Sequence, residues 1–290
     1  MTRQDISKGF EAHENSFGVA KNGLFNNESF IPVTFVKREE LNKDVRKYTF
    51  KHHQQKGVHV HTGQHFLCGF MMTDGITARP YAMTRPIGED KEDGTFDMIV
   101  KTYFPDDKQP GGLFGNVLDM LDAEREDTLL IMGSYGPIRY QGNGTFLVDQ
   151  EEDGHEQTIN AKRVNFISGG TGMTPVWATI KKMLECDNTQ IPIRFLDANT
   201  NVDEILLHDE IDALAKVHGD AFQITHTLED ADSSWTGERG LADKQKIDKY
   251  LFPADHDTIT FVCGPPPMIK AAGEALNELG FETGKNFFHF

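Results

Sequence analysis

The chain has 290 residues, 38% of them hydrophobic and 26% charged, with a formal net charge of -16. That length and apolar content suit two folded domains, and the acidic balance argues against a nucleic-acid partner and against a polybasic membrane anchor. No run of about 18 apolar residues is present to span a bilayer, and the polar start MTRQDISKGFEAHENSF lacks a signal-peptide core.

Residues 1–30 are polar and read as a mobile arm. From 31 to 150 come short alternating runs: FIPVTFVKRE, RKYTFKH, HVHTGQHFLCGF, FDMIVKTYF and TLLIMGSYG. Many short strands without helical gaps predict an antiparallel barrel or sandwich. One helix interrupts it at GGLFGNVLDMLD, with Phe114, Val117, Leu118 and Leu121 at helical spacing. Residues 151–162 are acidic and apolar-poor, and read as a linker.

From 163 to 290 the pattern changes. Strands VNFIS, IRFLDAN, FQITHTL and TITFVCG alternate with helices near 175–186, 203–217, 243–251 and 266–279. That alternation predicts a Rossmann-like α/β domain with a parallel sheet covered on both faces. The cysteines Cys68, Cys186 and Cys263 form no CxxC pair and no iron–sulfur spacing, so no metal site is expected. A reducing, cytoplasmic setting is the simplest expectation.

Four stretches carry candidate chemistry. GGTGMTP (169–175) follows the first parallel strand and opens a helix. Its glycines let backbone approach a ligand, and helix-start amides favour a diphosphate. Pro175 suits a first helical turn. It is not a Walker loop, since Met173 and Thr174 follow Gly172, nor GxGxxG, since Pro175 stands at the third glycine. CGPPPM (263–268) ends the last long strand and stiffens a helix start. Arg79 and Tyr81 stand two apart on one face of a barrel strand. Gly111, Gly112 and Gly115 open the first turn of the barrel's helix.

Taken in order, Arg-x-Tyr, Gly-Gly before a helix, GGTGMTP, CGPPPM and the aromatic end NFFHF resemble the ferredoxin-reductase superfamily. Within it they resemble the NADH-cytochrome b5 reductase family and the FAD/NADH portion of eukaryotic nitrate reductase. The likeness runs from about Ile31 to Phe290. GQH at 63–65, VKTYF at 100–104 and ANTNVDEILL at 198–207 also look like family segments.

The resemblance implies FAD in the barrel and NADH in the α/β domain. It implies that Arg79 pairs with FAD phosphate, with Pro80 and Ala82 beside it, and that Tyr81 lies against the flavin. Ile99, Lys101, Tyr103 and Phe104 would line the flavin and adenine side. Gly112, Leu113, Phe114, Gly115 and Asn116 would cradle the FAD diphosphate. Gly170, Thr171, Gly172 and Met173 would face the NADH diphosphate. Gly264, Pro265 and Met268 would flank the nicotinamide. Cys263 would orient that ring without nucleophilic attack, and Thr174 would reach toward the flavin; these two are the expected catalytic residues. Glu229, with Asp230 and Asp232 after THTL, would bind the ribose 2′-OH and repel a 2′-phosphate, which predicts NADH over NADPH. Arg239 lies close enough in sequence to blur that choice.

The chain departs from the family pattern at Ala82 and Arg85, where hydroxyls are usual, and at Phe114 and Gly115, where Met and Ser are usual. Missing hydroxyls are expected to weaken FAD binding by about 1–2 kcal/mol. The implied partner is a heme protein such as cytochrome b5, and the protein is expected to be a monomer. Between 37 and 56, seven cations (Lys37, Arg38, Lys43, Arg46, Lys47, Lys51, Lys56) outnumber Glu39, Glu40 and Asp44, and form the expected docking face.

Overall fold

The structure, a computed structural model, describes residues 29–52, 60–73, 75–84, 94–107, 110–149, 155–186 and 191–290. The chain divides into one compact unit up to Gly136 and a second from Pro137 to Phe290.

The first unit is a six-stranded antiparallel sheet. Its strands are β1 (Ile31–Glu40), β2 (Val45–His52), β3 (His65–Met72), β4 (Gly75–Ala82), β5 (Thr95–Lys101) and β6 (Thr128–Tyr135). They are ordered β4-β3-β6-β1-β2-β5, and an antiparallel bridge between Met83 and Met98 joins the two edges. The barrel expected from the alternation is therefore present. Period-two patterning sets its inside: Ile31, Val33 and Phe35 of β1 point inward with Tyr48, Phe50, Phe66, Phe96 and Met98. The rings of Phe66 and Phe96 meet edge to face at 5.2 Å. Helix α1 (Leu113–Asp119) buries Phe114, Val117 and Leu118 in this core, with Leu121 packed against it. Pro80 is tolerated because β4 is an edge strand.

The second unit holds a parallel sheet of β10 (Arg163–Gly169), β11 (Ile193–Asn199), β12 (Phe222–Leu228), β13 (Glu238–Arg239), β14 (Thr258–Cys263) and β15 (Phe287–His289), ordered β13-β12-β11-β10-β14-β15. Helices α2 (Met173–Cys186), α3 (His208–His218), α4 (Lys244–Tyr250) and α5 (Pro266–Glu278) connect the strands. Alternation along each strand divides the two faces. Ile167, Leu196 and Val262 pack with Ile247, Ala272 and Leu276 of α4 and α5. The next residue in each strand, Ser168, Asp197 or Cys263, points the opposite way.

The boundary differs from the expected one. Strands β7 (Ile138–Gly142), β8 (Thr145–Asp149) and β9 (Glu156–Asn160) form a three-stranded antiparallel sheet belonging to the second unit. Residues 137–149 are thus not barrel, and 156–160 are a strand where a linker was expected. The cause is apolar burial: Phe146 packs on Phe261 of β14 at 4.7 Å and on Tyr140 at 4.8 Å. Half-buried alternation does not say which sheet a hairpin joins. β9 escapes a hydrophobic reading because none of its residues is fully buried.

Candidate functional site

In the first unit, β4 carries Arg79, Pro80, Tyr81 and Ala82, and β5 carries Ile99 and Lys101. Arg79 is exposed, and its Nη1 donates to the Ala78 carbonyl at 2.8 Å. No carboxylate pairs with it among the described residues, so its charge is available to an anion. Tyr81 is half-buried and stacks on Phe114 at 5.7 Å, and burial pushes its phenol well above the usual range. It stays a neutral ring and hydrogen-bond donor. Phe114, standing in place of the family's methionine, also meets Phe70 at 5.1 Å and so supports Tyr81 from below.

The start of α1 is shaped by its glycines. Gly111 sits at φ +78, and a Cβ there would come within 2.6 Å of the Tyr103 carbonyl and the Pro105 nitrogen. Gly112 is the N-cap, with no side-chain cap on the first turn, and its own N–H donates to Tyr103 O at 2.7 Å. Asn116 Nδ2 donates to Tyr103 O and Gly112 O at 3.1 and 2.8 Å. The 103–116 segment is thereby tied to itself, and the uncapped amides are left for a ligand. A Cβ on Gly115 would stand 3.1–3.2 Å from Thr102, which explains why a serine does not fit without movement there. Tyr103 and Leu113 are exposed apolar groups on either side of this turn. Ile99 is buried, Lys101 pairs with Asp44 at 3.5 Å, and Phe104 lies under the Arg46 guanidinium at 5.3 Å. An unpaired guanidinium, an uncapped helix start and exposed flat apolar surface fit a flavin dinucleotide. Arg85 lies outside the described residues.

In the second unit, the two signature motifs meet although nearly a hundred residues separate them. GGTG forms a 3-10 turn (Gly170–Gly172) leading into α2. A Cβ on Gly172 would collide with the Cys263 carbonyl and come within 2.6 Å of Gly264 Cα. A Cβ on Gly169 would collide with the Met268 sulfur. Gly170, at φ +52, faces open space. Two of these glycines therefore permit packing, and Gly170 is the one that leaves room for a ligand. Thr174 Oγ1 donates to Thr171 O at 3.0 Å and holds the turn. Met173 is buried. Pro265 caps α5, with prolines in its first turn.

Cys263 ends β14, and burial pushes its thiol up to about 12. It is a neutral thiol at working pH, suited to packing and orientation rather than attack. Its thiolate fraction at pH 8 should be about a thousandth of an ordinary thiol's. Alkylation by iodoacetamide in native buffer should be correspondingly slow, and should become fast on unfolding in urea. Fast native labelling mapped to Cys263 by peptide mass would refute this assignment.

After β12, the Glu229 N–H donates to Asn199 O at 3.1 Å and its side chain is exposed. A cleft of about 300 Å³ opens beside it, lined by Asn201, Asp203, Leu228, Asp230, Asp232 and Trp235, among others. Glu229 itself does not line it, although its neighbours Leu228 and Asp230 do, and three carboxylates, Asp203, Asp230 and Asp232, are in the lining. Sequence reasoning missed Asn201, Asp203 and Trp235. The available signal was one tryptophan set in the polar, turn-rich run ADSSWTGE. Arg239, expected to blur cofactor choice, is bound to the loop that supplies Asp232 and Trp235 to this cleft. Its guanidinium donates to Ala231 O and Asp232 O at 2.7 Å and to Trp235 O at 2.8 Å. Hydrogen bonds from Ser234 hold the Asp232 carboxyl below its usual range.

The expected basic face on β1 and β2 is largely neutralised within itself. Lys37 and Lys47 both pair with Glu39, at 2.5 and 3.1 Å. Arg38 and Arg46 converge on Asp119 at 3.3 and 3.6 Å. Lys43 and Lys51 are exposed and make no ion pair among the described residues. Lys56 lies outside them.

Comparison with known proteins finds two domain families. An oxidoreductase FAD-binding domain family matches residues 32–140, and an oxidoreductase NAD-binding domain family matches residues 166–274. The chain is 30% identical over 253 residues to NADH-cytochrome b5 reductase 3 of Rattus norvegicus, covering 86% of this chain and 82% of that one. It is 31% identical over 265 residues to an NADH nitrate reductase of Ulva prolifera, covering 87% of this chain but 29% of that protein. Its structure is similar to the crystal structure of the cytochrome b5 reductase domain of Ulva prolifera nitrate reductase. That match has a TM-score of 0.83 at 30% identity and covers 93% of this chain and 100% of that one.

Proposed function

The chain belongs to the NADH-cytochrome b5 reductase family, and from that membership we propose that it oxidises NADH on bound FAD and delivers single electrons to a heme protein such as cytochrome b5. The observation that carries this reading is the contact of Gly172 with Cys263 and Gly264, which sets an open glycine turn beside a neutral thiol at the ends of neighbouring strands. FAD, when bound, supplies the conversion of a two-electron donor into one-electron steps. The protein's part is placement. Arg79 and the amides at Leu113 to Asn116 hold the FAD diphosphate, Tyr81 gives the ring a face, and the turn at Gly170 holds the NADH diphosphate. Cys263 and Thr174 position the nicotinamide end. Positioning of this kind can supply much of the barrier reduction.

The carboxylates around Glu229 set the preference for NADH. Glu229→Ala is expected to lower the NADH/NADPH ratio of kcat/KM by about tenfold, and Glu229→Arg to lower it further, through loss of repulsion toward a 2′-phosphate. An unchanged ratio in both, with a change on Asp230→Ala, would move the role into the cleft.

The acceptor docks, on this reading, through Lys43 and Lys51. Charge reversal of both should slow cytochrome b5 reduction and flatten its salt dependence while leaving ferricyanide reduction unchanged. Equal rates with cytochrome b5 would remove that face. A cytoplasmic, monomeric protein is part of the same proposal. No helix among the described residues is long and apolar enough to cross a membrane. A second reading, the reductase portion of a nitrate reductase-type system, is supported by the likeness to the Ulva domain.

The deciding experiment is anaerobic titration of the purified protein with NADH, followed by ferricyanide and cytochrome b5. Bleaching of a bound flavin and turnover with both acceptors are expected. Flavin that binds but does not bleach would indicate a redox sensor, and failure to bind added FAD would overturn the proposal.

A further inference from the structure

A polar cluster on the α3 face of the second unit is not used by any cofactor role above. His208 and Asp212 are four apart on α3 and share one face. His226 comes from β12, beneath that helix. His226 Nε2 lies 3.4 Å from Asp212 Oδ1, and His208 Nε2 lies 3.6 Å from Asp212 Oδ2. One ligand atom from each of the three groups falls within 4.8 Å of the others.

The two contacts with Asp212 approach the spacing of a metal's donor set. Tetrahedral bonds of about 2.0–2.1 Å to imidazole nitrogen or carboxylate oxygen place neighbouring donors about 3.3–3.4 Å apart. An outer carboxylate is also in place. Asp197, in register with His226 on the neighbouring strand, brings Oδ2 to 3.2 Å from His226 Nδ1. Asp197 is 1% exposed and is itself fixed, accepting from Ser168 Oγ at 2.5 Å and from Asn199 Nδ2 at 2.7 Å. A carboxylate accepting from Nδ1–H leaves Nε2, on the side of Asp212 and His208, as the nitrogen at which a metal ion would replace the proton, as outer-shell carboxylates do for metal-bound histidines. Burial is graded in the useful direction. His226 and Asp197 are buried and rigid, while His208 and Asp212 are partly exposed and leave an entry path.

We propose that His208, Asp212 and His226 form a binding site for one divalent transition metal ion of the zinc and cobalt class, with Asp197 as the positioning carboxylate and water completing the coordination. Two imidazoles and one carboxylate suit these borderline ions rather than magnesium or calcium, which take oxygen ligands. Binding displaces a proton from the His226–Asp212 contact, because the metal takes the Nε2 lone pair. The His208 ring lies 4.9 Å from His226 and 6.4 Å from Trp235. Trp235 also lines the cleft beside Glu229, so an ion here would stiffen one wall of that cleft.

The test is equilibrium dialysis of the chelator-treated, FAD-loaded protein against Zn²⁺, with thermal melting in parallel. One equivalent of Zn²⁺ and a raised Tm are expected. His208→Gln and Asp212→Asn, both at partly exposed positions, should each weaken binding at least tenfold and abolish the Tm rise. Asp197→Asn should weaken it about tenfold to a hundredfold. Co²⁺ should quench part of the tryptophan fluorescence in the native protein and not in His208→Gln. Absence of stoichiometric Zn²⁺, or binding that survives both His208→Gln and Asp212→Asn, would overturn the proposal.

Discussion

Gly172→Ala is expected to be a strongly damaging single-methyl change in the NADH-binding unit. The added Cβ would meet the Cys263 carbonyl and Gly264 Cα, which are main-chain atoms that cannot rotate away. Overpacking of this kind costs about 1–3 kcal/mol and occasionally more. Relief requires the GGTG turn to separate from the CGPPPM turn, so Cys263 moves as well. Urea unfolding should therefore lose stability by about 3 kcal/mol, and KM for NADH should rise at least about tenfold, since 1.4 kcal/mol of lost positioning is already that factor. Gly170→Ala is the control. It faces open space and meets only the cost of a left-handed conformation, about 1 kcal/mol. If Gly170→Ala proved the more destabilising of the two, the packing account of Gly172 would be wrong.

Arg79→Ala should separate flavin binding from folding. Arg79 is exposed and makes no ion pair among the described residues, so its removal should change apoprotein stability by less than about 0.5 kcal/mol. A charge-assisted hydrogen bond to phosphate contributes about 1.5–3 kcal/mol, so FAD affinity should fall roughly tenfold to a hundredfold. Arg79→Lys should fall between, because lysine keeps the charge but lacks the planar fork. The readout is the flavin retained after gel filtration, and the FAD dissociation constant by fluorescence. Full retention in Arg79→Ala would move the phosphate contact elsewhere on the barrel. The same titration measures whether Ala82 and Gly115 leave the wild type with weak FAD binding. Of these, Gly115 has a local cause, since Thr102 occupies the space a serine side chain would need.

Much of this architecture was legible from periodicity. Ile31, Val33 and Phe35 alternate as a barrel strand must, and Phe114, Val117 and Leu118 recur as a core-facing helix must. The two turns that pack together were legible because GGTGMTP and CGPPPM combine rare residues in a fixed order. What was illegible depends on contacts between distant segments. Nothing local in Tyr140 or Phe146 says that they pack toward Phe261 rather than into the barrel. Charge counting over residues 37–56 could not show that Asp119, far along the chain, neutralises Arg38 and Arg46. The spacing of His208 and Asp212 was visible, but their meeting with His226 follows from α3 lying over β12. The orientation of His226 follows from a register that pairs it with Asp197.

Arg239 gives the loop before it a separate evolutionary status. Its guanidinium grips the main-chain carbonyls of residues 231, 232 and 235, so the course of that loop is held from outside, with help from the side chains of Asp232, Ser234 and Trp235 alone. Side chains at Asp230, Ser233 and Thr236 can then change without refolding the segment. On the proposal that the cleft beside Glu229 receives the adenosine end of the nucleotide, the loop is an exchangeable cassette. A lineage can drift between dinucleotide preferences there while the turn at Gly172 and Cys263 stays untouched.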